Sequence, residues 1–269
     1  IILSIHAYLG LHVIGREVIF VDLAFAQIAA LGSTVALLLG IELGTTLSLL
    51  FALGFTLLGA LLFSLTRMKR SVVPQEAIIG ISYVVASAAV ILIAGLTAEG
   101  AEHLRETMTG TLIWVGWGDI WRLAVVYAIL GAFHFVMRRR FLSVTFDPDN
   151  AGNVKLWDFL FYLSFGVMIS FSVEIAGVLM VFSALVIPAV IAFLYTNRFG
   201  RALFIAWGAG TVAIVGGIGT SFYFDIATGP LLVCAFGVVL VIAAAVRPLL
   251  GVRPEGKITV GMLRTPTVD

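Results

Sequence analysis

The chain has 269 residues, 61% of them apolar and only 12% charged, with a mean hydropathy of +1.13, whereas a soluble domain carries roughly 25% charged residues. Such a composition excludes a soluble globular protein. Sixteen Lys and Arg against fifteen Asp and Glu leave a net charge of +1, too dilute for the clustered basic face that nucleic acid requires.

A helix needs about 20 apolar residues to cross roughly 30 Å of hydrocarbon. In chain order, runs of that kind fall at 18–40, 45–66, 77–97, 120–137, 157–173, 175–196, 202–223 and 230–247, and the stretch 1–15 reads as a truncated ninth. The chain opens at Ile1 inside an apolar stretch, with no charged leader or cleavage site, which predicts a missing N-terminal piece. None of the runs alternates with a period of two, so helices are expected rather than a β-barrel. With no polar linker between them, the fold expected is an all-α polytopic bundle of about eight or nine transmembrane helices. The transmembrane domain would occupy 1–250, with a tail over 251–269.

Lys and Arg accumulate on the cytoplasmic side of a membrane. With nine crossings, Arg16, Arg67, Lys69, Arg70, Arg138, Arg139, Arg140, Lys155, Arg198, Arg201, Arg247, Arg253, Lys257 and Arg264 all fall on one face, leaving Arg105 and Arg122 on the other. This places the C-terminus in the cytoplasm. Opposite, the loop 98–119 carries Glu99, Glu102, His103, Glu106 and Asp119, and Trp114, Trp117 and Trp121 read as an interfacial aromatic belt. Glycines within the spans, such as Gly54, Gly59, Gly166, Gly177, Gly208, Gly210, Gly216, Gly217 and Gly219, allow close helix approach. Gly177 and Pro188 are the candidates for a kink or gate, Pro188 because it removes a backbone donor inside a helix.

Charges inside spans are costly and mark a path or a pair. Asp22, six residues past Arg16 and so roughly 9 Å further along a continuous helix, is the leading path candidate. Gln27 shares its face only loosely, and Glu174, at the turn between two spans, is either a mouth of the path or merely solvated. Asp225 heads a turn and helix start with Pro230 in the first helical turn. His6, His12, His103 and His134 show no spacing that sets two imidazoles on one helix face, and His134 reads as interfacial. Cys234 reads as a small buried hydrophobe. Gly251–Ile258 imitates a phosphate loop but has Ile258 where Ser or Thr must hold magnesium, so no ATP site of the chain's own is expected. In the loop 138–157, Asp147 is expected to cap a short helix beginning at Pro148, with Ala151 and Gly152 allowing another protein to approach.

Five collinear stretches resemble the membrane subunits of zinc/manganese-type ABC transporters, the metal ABC transporter permease family: GREVIFVDLAFAQIAALG from Gly15, PQEAIIGI from Pro74, DPDNAG from Asp147, VEIAGVLMVFSALVIPAVIA from Val173 and FDIATGPLLVC from Phe224. The resemblance implies a bundle similar to that of cobalamin and siderophore importers, sited in a bacterial plasma membrane. It further implies a second permease copy, two cytoplasmic ABC ATPase subunits that use the ATP, and an extracytoplasmic metal-binding protein that delivers a divalent metal as substrate; no permanently bound cofactor is expected. Asp147, Pro148, Ala151 and Gly152 would be the ATPase docking loop, and Asp22, Gln27 and Glu174 the substrate pathway. Two departures stand out. The family sets a histidine four residues after its acidic residue, where this chain has Ala26, so Asp22 alone carries over as a metal ligand and manganese or iron(II) become as apt as zinc. The docking loop is also shorter, running straight on to Asn153. Competing readings are an ion-coupled secondary transporter and an ABC permease for a metal chelate.

Overall fold

The structure, a computed structural model, describes residues 1–67, 73–97, 105, 107, 108, 110, 112, 115–251 and 258. Glu99, Glu102, His103, Glu106, Trp114 and most of 251–269, including the phosphate-loop imitation, lie outside them. The described residues form ten α-helices: α1 Ile2–Gly15, α2 Val21–Leu38, α3 Thr46–Thr66, α4 Gln75–Ala94, α5 Trp117–Val136, α6 Arg138–Phe146, α7 Val154–Ala176, α8 Val178–Tyr195, α9 Phe199–Phe224 and α10 Thr228–Val246, followed by a 3-10 turn at Arg247–Leu250. Eight of these, all except α1 and α6, are long and apolar enough to cross a membrane. The chain is a multi-pass membrane protein, and each of the eight expected runs has its helix.

The chain packs as two compact units. The first comprises 1–17, 131–154 and 182–269. In it α1 meets α8 so closely that a Cβ at Gly10 would lie 1.9 Å from the Leu185 carbonyl oxygen. In lipid, where no hydrophobic force draws helices together, such close backbone approach is a main source of attraction. Pro188 sits inside α8, where it cannot complete the i to i−4 ladder. Trp207 Nε1 donates to the Ser4 carbonyl at 2.8 Å, and Arg16 Nε donates to Thr145 Oγ1 at 3.0 Å, tying the end of α1 to α6.

Several expectations fail here for definable reasons. His134 is not interfacial: it is 2% exposed, stacked on Phe141 at 4.5 Å and meeting the edge of the Tyr8 ring at 5.7 Å. Phe141, Leu142 and Val144 are the buried side of α6, and Phe141 covers the imidazole. For the same reason the short helix of this loop precedes Asp147. Instead of capping a helix begun by Pro148, Asp147 is the C-cap of α6 and closes a turn: Asn150 Nδ2 donates to both its carboxylate oxygens at 2.9 and 3.1 Å, and the Ala151 amide donates to its carbonyl at 3.1 Å. Cys234 is exposed on the surface of α10, because that helix buries only Leu232 and Phe236. Asp225 adopts the left-handed conformation at the end of α9, and Pro230 falls in the first turn of α10.

The second unit comprises 18–130 and 155–181. Its centre is aromatic: Phe25, Phe63, Tyr162 and Phe165 are buried, with Phe25 meeting Phe63 edge-on at 5.2 Å and Phe63 meeting Tyr162 at 6.0 Å. Such edge-to-face pairs add to the energy of burial. Thr45 caps α3, its side chain accepting from the Ser48 amide at 3.3 Å. Arg67, just past α3, pairs with the buried Asp158 in the first turns of α7. Of the span glycines, Gly59 and Gly166 here and Gly210 and Gly217 in the first unit face packed neighbours, whereas Gly54, Gly208, Gly216 and Gly219 face open space. Outward leucines such as Leu58 and Leu65, with Ile81 and Leu92, form the apolar surface a bilayer requires.

Candidate functional site

Within the second unit, α2, α3 and the end of α7 enclose a chamber of about 360 Å³. One water takes roughly 30 Å³ of liquid volume, so a hydrated ion fits. On α2 the lining residues are Ala26, Ala29, Ala30 and Ser33, a spacing of three and four that marks one helix face. Their small side chains leave the space empty. The opposing walls bring Thr45 and Ser48 from α3, Thr107, and Ser170 and Glu174 from α7. Ser170 is fixed by a 3.0 Å hydrogen bond with Thr56 and donates to the Gly166 carbonyl at 2.9 Å. The described lining offers oxygen donors and no imidazole or thiol.

Asp22 precedes Ala26 by four residues, so it lies on the same face one turn further on, about 6 Å along the axis. It is 2% exposed, and neither carboxylate oxygen meets a hydrogen-bond partner among the described residues. Unpaired buried charge is expensive, and by default it marks a route for a cation or proton. Its depth is not the one expected: α1 ends at Gly15, Glu17 has φ +57°, and α2 starts afresh at Val21, so Asp22 belongs to the first turn of α2, where the helix dipole favours a carboxylate. Gln27 is also buried, at 1%, but it does not line the chamber.

Glu174 lies within the last turn of α7 rather than between two helices. The break comes at Gly177, whose φ of +75° an L-residue rarely adopts. Glu174 also borders a smaller cavity of about 120 Å³ with Asp119, Arg122 and Phe171, and Arg122 Nη2 lies 3.4 Å from Glu174 Oε2. Sequence reasoning misses two participants. One is Arg122. The other is Glu76 at the start of α4, whose Oε1 accepts from the Phe20 amide at 3.0 Å and so caps the beginning of α2 beside Asp22. A carboxylate in the first turn of a helix is a signal for such capping, but which helix it serves is a tertiary fact. Among the described residues no group of three or more His, Cys, Asp or Glu side chains could hold a metal ion.

The chain is thus a multi-pass helical membrane protein with a polar chamber and a buried acid. Residues 1–247 match the ABC 3 transport family, and the chain belongs to that family. It is 25% identical over 158 residues to the manganese transport system membrane protein MntC of Listeria monocytogenes, covering 57% of this chain and 56% of that one. It is also 25% identical over 148 residues to a probable iron transport system membrane protein of Haemophilus influenzae, covering 54% and 55%. The chain thus spans little more than half the length of these relatives. Among solved structures, PsaBC from Streptococcus pneumoniae in complex with Fab shares the fold, with a TM-score of 0.73 and 20% identity over 90% of this chain and 86% of that one.

Proposed function

We propose that this chain is the permease subunit of an ABC importer of a divalent transition metal, working in a bacterial plasma membrane. It would act as a homodimer, with two cytoplasmic ATPase subunits supplying the energy and an extracytoplasmic binding protein supplying the metal. The observation that carries this reading is the buried, unbonded Asp22 on the face of α2 that leads to the hydroxyl-lined chamber. A cation leaving water needs replacement oxygen ligands, since an uncompensated ion in apolar surroundings is prohibitive. Ser33, Ser48, Ser170 and Glu174 offer them at the chamber, and Asp22 offers a further carboxylate one turn along the same face of α2. Hard oxygen donors suit manganese and iron(II) better than they suit zinc, in keeping with the manganese and iron transport named for the relatives.

The turn Asp147–Gly152, with Pro148 and Ala151, is the proposed seat of the ATPase, its compact shape held by Asn150. Gly177 and Pro188, a helix break and a missing backbone donor, are the proposed points of bending. Basic residues follow α1, α3, α5, α8 and α10 at Arg16, Arg67, Arg138, Arg198 and Arg247, which supports a cytoplasmic C-terminus. Asp22→Ala tests the reading: metal accumulation by the assembled transporter should be abolished while the ATPase subunits still copurify. Normal uptake by that variant removes Asp22 from the path.

A further inference from the structure

Among the described residues, Glu174 is the one shared by the two cavities of the second unit. Arg122 donates to it from Nη1 at 3.5 Å and Nη2 at 3.4 Å, and the guanidinium also lies 5.1 Å from the centre of the Phe171 ring, which steadies it beside the carboxylate. The two side chains are 41% and 43% exposed. Among the described residues of the larger chamber, Glu174 is the only ionisable one. A cation that enters meets this carboxylate, which already holds a cation belonging to the protein.

Building on the permease reading above, we infer that Arg122 is a specificity-determining residue at this entrance, a tethered cation that the incoming ion must displace from Glu174. A partly exposed ion pair of this length contributes little and yields readily. Attraction to the carboxylate scales with ionic charge, so a divalent ion displaces the guanidinium where a monovalent one does not. Once displaced it has somewhere to go: Asp119 lines the same small cavity and stands three residues earlier on α5, on the same face. The charge that leaves Glu174 thus finds a second carboxylate without leaving its helix.

The test is manganese uptake by proteoliposomes holding the chain and its ATPase subunits, measured across manganese concentrations. Arg122→Gln removes the competitor and should lower the half-saturating concentration about threefold. Glu174→Gln removes the ligand and should raise it about tenfold. In the double variant the Arg122 change should have no further effect, since the two residues act on each other. A pair that merely braced α5 against α7 would lower the melting temperature of both variants and leave half-saturation where it was. That pattern, or a rise in half-saturation in Arg122→Gln, overturns the inference alone. Absence of uptake of both manganese and iron(II) by the unsubstituted complex overturns the permease reading with it.

Discussion

The packing of α7 against α2 and α3 can be tested at one atom's scale. A Cβ at Gly166 would lie 2.6 Å from Thr56 Cγ2 and 2.7 and 2.8 Å from Cδ1 and Cε1 of Phe25, where carbon atoms normally sit about 3.5–4.0 Å apart. Neither neighbour has room to retreat: both are fully buried, and Phe25 is already against Phe63. Gly166→Ala should therefore cost about 1–3 kcal/mol by overpacking. Gly208 is the control, because nothing lies within 4 Å of its added Cβ, so Gly208→Ala should gain about 0.5–1 kcal/mol from backbone entropy and helix propensity. For a chain of this size a kcal/mol corresponds to about 2–4 °C. Tryptophan-fluorescence melting in lipid nanodiscs should then separate the two variants by on the order of 5–10 °C. Because Ser170 and Glu174 follow Gly166 at intervals of four, the displaced wall is also the chamber wall, and transport should fall in Gly166→Ala. Equal melting temperatures, or a less stable Gly208→Ala, would refute the close approach.

Removing Arg67 alone strips the buried Asp158 of its guanidinium, so Arg67→Ala should destabilise by about 3–5 kcal/mol while Arg67→Leu with Asp158→Leu recovers most of it; chemical denaturation of the three proteins decides. Ala26→His places an imidazole on the chamber wall one turn from Asp22, which should shift binding toward zinc by calorimetric competition against manganese. An unchanged zinc-to-manganese ratio would separate Asp22 from the chamber. Asp147→Ala removes the acceptor of both Asn150 donations, and the share of ATPase copurifying with the permease should fall while the permease itself remains in the membrane.

How much of this is legible in the sequence depends on what kind of information each feature carries. Span positions depend on hydropathy over some twenty residues, and α2, α3, α9 and α10 fall within two to three residues of the expected limits. Asp22 stands out in the sequence because a lone acid in an apolar run is too costly to keep without a path or a pair to hold it. The helix break is misplaced at Glu174, since a carboxylate resembles a turn and only backbone geometry exposes Gly177. His134 and Cys234 escape sequence reasoning for a common reason: each depends on which face a neighbouring helix covers, and the uniformly apolar sequence of a membrane span does not mark its faces; the helix before Asp147 escapes because its start, Arg138–Arg140, reads as a solvated basic run. The chamber escapes for the first of these reasons. Ala26, Ala29, Ala30 and Ser33 look like ordinary spacing residues until α3 and α7 stand opposite them.

As a permease subunit of the kind proposed, the chain would move a metal ion only under the power of a partner. The most direct measurement loads proteoliposomes with the chain, with and without its ATPase subunits, and follows manganese accumulation after binding protein and ATP are supplied. Accumulation that needs both ATP and the ATPase, and disappears in Asp22→Ala, is the expected result. Accumulation by the chain alone, driven by a proton or sodium gradient, would contradict it.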